Sequence, residues 1–484
     1  MFENPITLVM LGPTMSGKTE AVKIIRYYNS QIMFRTSSSA IKKESECVVR
    51  YDQWSGQSYR DKELYYSRLR ESYQEPTMHM DYLNFVYLPP NGEKVVQIVD
   101  IGGHEKLMKN ASSGISLSEN SAALIVVSVD SINFQGNQKT LHDHLMFARV
   151  NGIKQVAVCV NMMDTKDFCE EEFCQVTERI LKPALKNILG IKNLSEVPMI
   201  PTSLVLEENV MKNSDKMPWY KGEPLLSVVD SLTTPSCQQW KKYAPLRLSV
   251  IDSYRISGIG TVLIGQLHTG ILQPDTMVKV PTLKGTSQDL LVKYIEIDHK
   301  TVPNAFPGSV IGIHVSQLPV SSCRRGLVLS DPKNHPAAFT LFFEAKIKIL
   351  DCPNIIKEGF TPMVDCGLAH VACRFEKLMY TIDATTRRVA SYHPSFLNKN
   401  DLAVVRLRPI KKRFLLERYN DFPCLGRITV RDNNKIVAIG TVTRIVREGD
   451  DHNLPTLYNF SKYGNYVMGT STSSLRDISI TCQH

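Results

Sequence analysis

Gly12, Gly17, Lys18 and Thr19 stand in the spacing G-x-x-x-x-G-K-T, filled out by Pro13, Thr14, Met15 and Ser16. Glycines at those places let backbone N–H groups close around a phosphate, and a helix beginning near Lys18 points its positive end at the same anion. In such a loop the lysine ammonium reaches β and γ oxygens, and the Thr19 hydroxyl ligates Mg2+. A second group follows in Asp100-Ile101-Gly102-Gly103-His104, which fits D-x-x-G. Asp100, ending an apolar run, is placed to face Mg2+. Gly103 offers its N–H to a γ-phosphate, and His104 can orient an attacking water.

A third group, Asn161-Met162-Met163-Asp164, ends the apolar run Val156–Val160. The Asp164 carboxylate can accept two hydrogen bonds, from guanine N1–H and the exocyclic amine. Adenine has no such pair of donors, so the implied ligands are GTP and GDP. Asn161 would tie this loop to the phosphate loop, and Met162 would lay an apolar stem over the base. Pro201-Thr202-Ser203-Leu204 fits a final loop in which a backbone N–H, at Ser203 or Leu204, meets guanine O6.

These loops need strand ends to hold them. Residues 1–238 alternate short apolar strands with helix-length segments, the α/β pattern of a mostly parallel sheet with helices on both faces. Strands are expected at Ile6–Leu11, Val95–Val99, Ala123–Val129, Val156–Val160 and Pro198–Ile200, and helices at Glu20–Tyr28, Thr140–Val150 and Glu171–Ile188. Thr233-Thr234-Pro235-Ser236 reads as a linker. Beyond it, short alternating strands with Gly and Pro turns predict two β-barrel domains, at 245–333 and 337–447, and a polar tail at 448–484.

The composition excludes several classes. With 43% hydrophobic and 22% charged residues the chain is a globular one, and it has no apolar run long enough to span a membrane. Eleven scattered cysteines without a C-x-x-C pair read as reduced thiols, neither a disulfide framework nor a zinc site, and a cytoplasmic location is expected. The net charge of +9 is concentrated: Val371 to Arg447 holds sixteen Lys or Arg, including Lys411-Lys412-Arg413, against six Asp or Glu. Such an excess marks either a solvated face or a polyanion surface, RNA first among the candidates.

The order of these motifs, with two β domains after them, resembles the translational GTPases of the elongation factor Tu and elongation factor 1-alpha family. Met217-Pro218-Trp219-Tyr220-Lys221-Gly222, Gly258-Ile259-Gly260-Thr261-Val262 and Thr269-Gly270-Ile271-Leu272-Gln273-Pro274 carry the likeness to the elongation factor 1-alpha branch. So do Arg324-Arg325-Gly326, the run from Asp365 to Phe375 and the run from Leu425 to Asp432. The resemblance implies a monomeric GTPase that carries aminoacyl-tRNA to the ribosome and is recharged by a guanine-nucleotide exchange factor. It implies His104 as the catalytic residue and Asp252 and Tyr254 as holders of the tRNA 3′ end, with Arg427 and Arg431 among the cations facing tRNA.

Several positions depart from the family's pattern. The first switch aligns with Gln74-Glu75-Pro76-Thr77-Met78, allowing an insertion near Leu88-Pro89-Pro90-Asn91, so that Thr77 would supply a Mg2+ hydroxyl. Pro13 and Met15 replace the family's His and Asp, Gly102 replaces a proline, and Thr14 and Pro76 replace an apolar gate. Two other readings therefore stand beside the first. One is a divergent paralogue that binds and regulates but hydrolyses little. The other is a carrier for a termination or ribosome-rescue factor.

Overall fold

The computed structural model describes residues 6–36, 81–87, 94–103, 108–116, 121–153, 155–232, 240–256, 260–281, 287–297, 300–315, 318–350, 355–433 and 435–447. The chain divides into two compact units, Pro5–Pro235 and Ser236–His484.

The first unit is built on β1 (Ile6–Leu11), β2 (Asp81–Tyr87), β3 (Lys94–Asp100), β4 (Ala122–Ser128), β5 (Gln155–Asn161) and β6 (Met199–Pro201) in the order β2-β3-β1-β4-β5-β6. Every pairing is parallel except that of β2 with β3. Strands β1 and β4 are buried along their whole length, and β5 at all but its first residue. Both faces are thus covered, which is why these strands read as unbroken apolar runs. Helices α1 (Lys18–Thr36), α2 (Met108–Ser116), α3 (Gln135–Asn151), α4 (Glu170–Val176) and α5 (Leu225–Ser231) accompany the sheet. Gly152 ends α3 in the left-handed region, φ 78°, where its amide reaches the Ala148 and Arg149 carbonyls. The helix expected over 171–188 is interrupted by π-helical turns at Thr177–Leu181 and Leu185–Leu189.

In the second unit, β7 (Arg247–Ile256), β8 (Gly260–Thr269), β9 (Met277–Pro281), β10 (Ser287–Ile297), β12 (Val310–Val315) and β13 (Val328–Ser330) close a ring, because β9 pairs with both β13 and β10. The short β11 (Lys300–Val302) hangs on β10. A second ring joins β14 (Thr340–Ile349), β15 (Met363–Cys366), β16 (Ala369–Ile382), β18 (Leu402–Pro409), β19 (Arg427–Asp432) and β20 (Lys435–Arg447), closed by β15 on β16. Here β17 (Val389–Tyr392) is the appended strand. Closure leaves few unpaired edges.

The barrels meet through the segment after β18. Leu415, Phe422 and Leu425 pack into the first barrel's core. Beside them the Arg247 guanidinium, wholly buried, lies 2.7 Å from Glu417 Oε1 and 4.3 Å above the Phe422 ring. Arg447 holds the other Glu417 oxygen at 2.5 Å. Burial pushes the Glu417 pKa up, but Arg247 and Arg447 outweigh it and hold the group below the usual carboxylate range.

Candidate guanine-nucleotide site

The phosphate loop leaves the buried end of β1 and turns on two glycines. Gly12 has φ 137°, and a Cβ there would sit 2.0 Å from the Val126 carbonyl oxygen. Gly17 has φ 94°, and its Cβ would lie 2.3 Å from Asn161 Nδ2. No other residue type fits either place without moving backbone or breaking a contact. Met15, between them, also takes a left-handed conformation, φ 56°, with its side chain 66% exposed.

Lys18 opens α1 and turns its ammonium back over the loop, donating to the carbonyls of Gly12 at 3.1 Å and Pro13 at 2.7 Å. Burial lowers its pKa to about 8, although Asp100 and Glu20 pull the other way. The Thr19 hydroxyl donates to Asp100 Oδ2 at 2.7 Å. Parallel pairing sets Asp100 beside Met10, so the carboxylate stands at the strand end next to the loop. A hydroxyl and a carboxylate oxygen meeting at the rim of a glycine-built cradle are a fitting donor set for Mg2+. Gly103 follows closely: a Cβ on it would be 2.4 Å from the Pro13 carbonyl carbon and 2.5 Å from the Thr14 nitrogen.

Asn161, at the end of β5, bridges two loops. Its Nδ2 donates to the Ser16 carbonyl at 3.1 Å and its Oδ1 accepts the Leu204 amide at 3.0 Å. The expected tie between the base loop and the phosphate loop is this side chain. The Leu204 amide is therefore engaged within the protein, as is that of Ser203, which donates to the Glu208 carbonyl. Met162 turns the chain through φ 66° and leaves Asp164 half-buried at the loop. Lys166 pairs with Asp130 at 2.9 Å, and the Trp219 indole donates to the Phe168 carbonyl at 3.0 Å, bracing the segment from behind.

One residue of this site has no place in the motifs. His144, on the buried face of α3, accepts the Gly12 amide at Nδ1 over 3.2 Å. Burial, reinforced by the Lys18 charge, lowers its pKa to about 3, so the ring is neutral and able to accept. The available signal was a polar residue at an apolar position of a helix pattern, which does not say what it touches.

His104 and Thr77 lie outside the described residues, as do the remainder of 74–78, the linker at 233–236 and the tail at 448–484. Asp252 and Tyr254 share the exposed end of β7, where the phenol donates to Asp252 Oδ2 at 2.6 Å and that bond, with burial, pushes the Tyr254 pKa up to about 12. Arg427 is half-buried against the Tyr419 ring at 5.4 Å. Arg431 departs from expectation. Only 5% exposed, its guanidinium grips both oxygens of Asp365, which also holds His370 at 2.7 Å. A cation buried and neutralised in this way holds the barrel together and does not present itself to a phosphate.

Comparison with known proteins fits this geometry. Residues 3–235 match the family described as Elongation factor Tu GTP binding domain, and 342–443 match GTP-eEF1A C-terminal domain-like. Elongation factor 1-alpha of Methanocaldococcus jannaschii is 37% identical over 346 residues, 71% of this chain and 78% of that protein. The Stylonychia lemnae elongation factor 1-alpha is 30% identical over 92% of this chain and 96% of its own length. Among solved structures, the S. cerevisiae Ski7 GTPase-like domain bound to GTP aligns with a TM-score of 0.66 at 14% identity, covering 91% of this chain and 97% of that one. Elongation factor SelB from Methanococcus maripaludis aligns at 0.64 and 17% identity, over 92% and 80%. With these matches, and with an α/β domain followed by two closed barrels, the chain belongs to the elongation factor 1-alpha and Tu family of translational GTPases.

Proposed function

We propose that this protein binds GTP with Mg2+, carries aminoacyl-tRNA to the ribosome as a monomer, and releases it on hydrolysis. The observation that carries the reading is the Asn161 bridge: it makes one rigid unit of the loop for phosphate and the loop for base. Lys18, cationic at neutral pH, neutralises the β- and γ-phosphates. Thr19 and Asp100, together with Thr77, would hold Mg2+, which would supply positive charge to offset that of the phosphates. Asp164 accepts from the guanine edge, and Gly103, packed on the loop, responds to the γ-phosphate. His104 orients water toward the phosphate. Asp252 and Tyr254 hold the acceptor end, and Arg427 adds charge to the tRNA face. A guanine-nucleotide exchange factor completes the cycle, which takes place in the cytoplasm.

The test measures affinity for GTP, GDP and ATP at millimolar Mg2+, together with protection of aminoacyl-tRNA from hydrolysis. Protection with GTP and not with GDP is expected. Asp164→Asn should shift preference to xanthosine nucleotides, and His104→Ala should suppress ribosome-stimulated hydrolysis while sparing GTP binding. Absence of binding to either triphosphate would favour a regulatory binding protein. Recovery of a release-factor-like protein in place of tRNA would favour the carrier reading.

A further inference from the structure

The parallel sheet of the first unit ends at β6, which pairs with β5 and has no strand on its other side. On the paired side the Pro198 carbonyl accepts the Val158 amide at 2.9 Å, and the Thr202 amide donates to the Val160 carbonyl at 2.8 Å. A trans peptide points its N–H opposite to its C=O, and a strand residue sends both of its own groups to one side. The Met199 amide and carbonyl, and the Pro201 carbonyl, therefore face away from β5. The Pro201 carbonyl is capped there by Asn209 Nδ2 at 2.9 Å. Neither Met199 group has a hydrogen-bond partner among the described residues.

Beside that edge lies a cavity of about 410 Å3, a size typical of small-ligand pockets. The strand lines it with Pro198 and Met199, the loop before α5 with Tyr220 and Glu223, and α5 itself with Ser227 and Val228. The Tyr220 hydroxyl donates to the Glu223 carbonyl at 2.8 Å, which fixes the ring. Burial, with the Glu223 charge adding to it, pushes the Tyr220 pKa up to about 12, so the phenol stays protonated and the Glu223 carboxylate stands near it. Glu223 is exposed, and no cation pairs with it among the described residues.

A donor and an acceptor on one strand residue match the backbone of an extended chain, which offers the same two groups in return. In antiparallel pairing a single residue of that chain exchanges both bonds with Met199. Ile200, the neighbour of Met199, lies in the core that includes Leu225 and Val229 of α5. Paired residues share a face and successive residues alternate, so the residues on either side of the paired one turn toward α5 and the cavity. One can bury an apolar side chain against Pro198, Tyr220 and Val228. The other, two residues along, can bring a cation to Glu223. A small apolar molecule would fill the cavity and leave the Met199 groups and Glu223 idle.

We propose that the open edge of β6 docks an extended peptide, which adds an antiparallel strand at Met199, buries an apolar side chain in the cavity and sets a lysine or arginine against Glu223. The site uses none of the nucleotide or acceptor-end residues, so it stands whether or not aminoacyl-tRNA is the cargo.

Fluorescence anisotropy of a labelled, C-terminally amidated peptide, Ser-Phe-Thr-Lys-Ser, on the full chain tests it. N-methylation of the peptide's threonine removes the donor to the Met199 carbonyl and should weaken binding at least about fivefold. N-methylation of its lysine, whose amide faces solvent, should cost less than about twofold. Replacing its phenylalanine by alanine should cost about 10- to 100-fold. Glu223→Gln should weaken binding about two- to fivefold at low salt and flatten the salt dependence. Ser227→Phe fills the cavity and should abolish peptide binding while GTP affinity stays that of the parent protein. The two methylated peptides are read on the parent protein, so the comparison decides even where Ser227→Phe fails to fold. Three results would overturn the proposal: no binding by the parent protein, equal affinity for the two methylated peptides, or an unchanged affinity in a folded Ser227→Phe.

Discussion

Replacing His144 by alanine removes the acceptor that holds the Gly12 amide, in a place where water cannot take over. The ring is 1% exposed and its Nδ1 is 3.2 Å from that nitrogen. An orphaned buried N–H costs about 1–3 kcal/mol, and the space left by an imidazole adds about 1–2 kcal/mol, so a loss of about 3 kcal/mol is expected at pH 7.5. The pH dependence separates this account from a generic packing defect. His144 titrates near 6.5 in the unfolded chain and at about 3 when folded. Between those values the unfolded chain binds a proton that the folded chain refuses. The contribution of His144 is therefore complete above pH 6.5 and is lost as pH falls toward 3, at about 1.4 kcal/mol per unit. By pH 5 about 2 kcal/mol has gone. Urea denaturation of the parent and His144→Ala proteins at pH 7.5, 6.5 and 5 should show the gap narrowing by that amount, with His144→Gln intermediate at pH 7.5. A gap that stays constant across the series refutes the neutral buried ring, and a variant as stable as its parent at pH 7.5 refutes the Gly12 bond.

Gly17→Ala should cost about 2–4 kcal/mol, from a side chain forced to φ 94° and the displaced Asn161 amide, and should weaken GTP binding by at least tenfold in a nucleotide titration. Met15→Gly relieves a left-handed methionine at the cost of a freer unfolded chain. The balance is a gain of about 0.5 kcal/mol, and a loss above 1 kcal/mol by denaturation would contradict it. Glu417→Gln leaves two arginines facing a neutral amide in the buried inter-barrel cluster. A loss of about 3–5 kcal/mol is expected, visible as an earlier urea midpoint, and a change below 1 kcal/mol would show the cluster to be dispensable.

How far the sequence could be read depends on where each residue's partner comes from. β1, β4 and β5 are legible because burial on both faces forces continuous apolar runs. β2 was not foreseen, for its place is set by antiparallel pairing to β3 and no local period announces a partner. The π turns in the segment after Glu170 were equally hidden, since a shift from one hydrogen-bond step to the next leaves the apolar pattern nearly intact. The tie from Asn161 to the phosphate loop could be read because motif spacing names both ends of that contact. Arg431 could not, because its basic type says nothing of Asp365, sixty-six residues earlier on a neighbouring strand.

The same distinction explains how the phosphate loop keeps its shape while its middle residues diverge. Gly12 and Gly17 are fixed by backbone angle and by contacts that a Cβ would break, and the loop is clamped from outside by His144 at one end and Asn161 at the other. Pro13 enters this framework through its carbonyl, which accepts both the Ser16 hydroxyl at 3.0 Å and the Lys18 ammonium. A carbonyl is common to every residue, so the identity of position 13 is free where its oxygen is not. Thr14 is half-buried and Met15 points outward, so neither side chain enters the clamp. Divergence at 13 to 15 thus leaves the backbone of the loop in place. It alters only what the outer rim of the loop presents, and there a change of partner or of hydrolysis rate can arise without loss of the cradle.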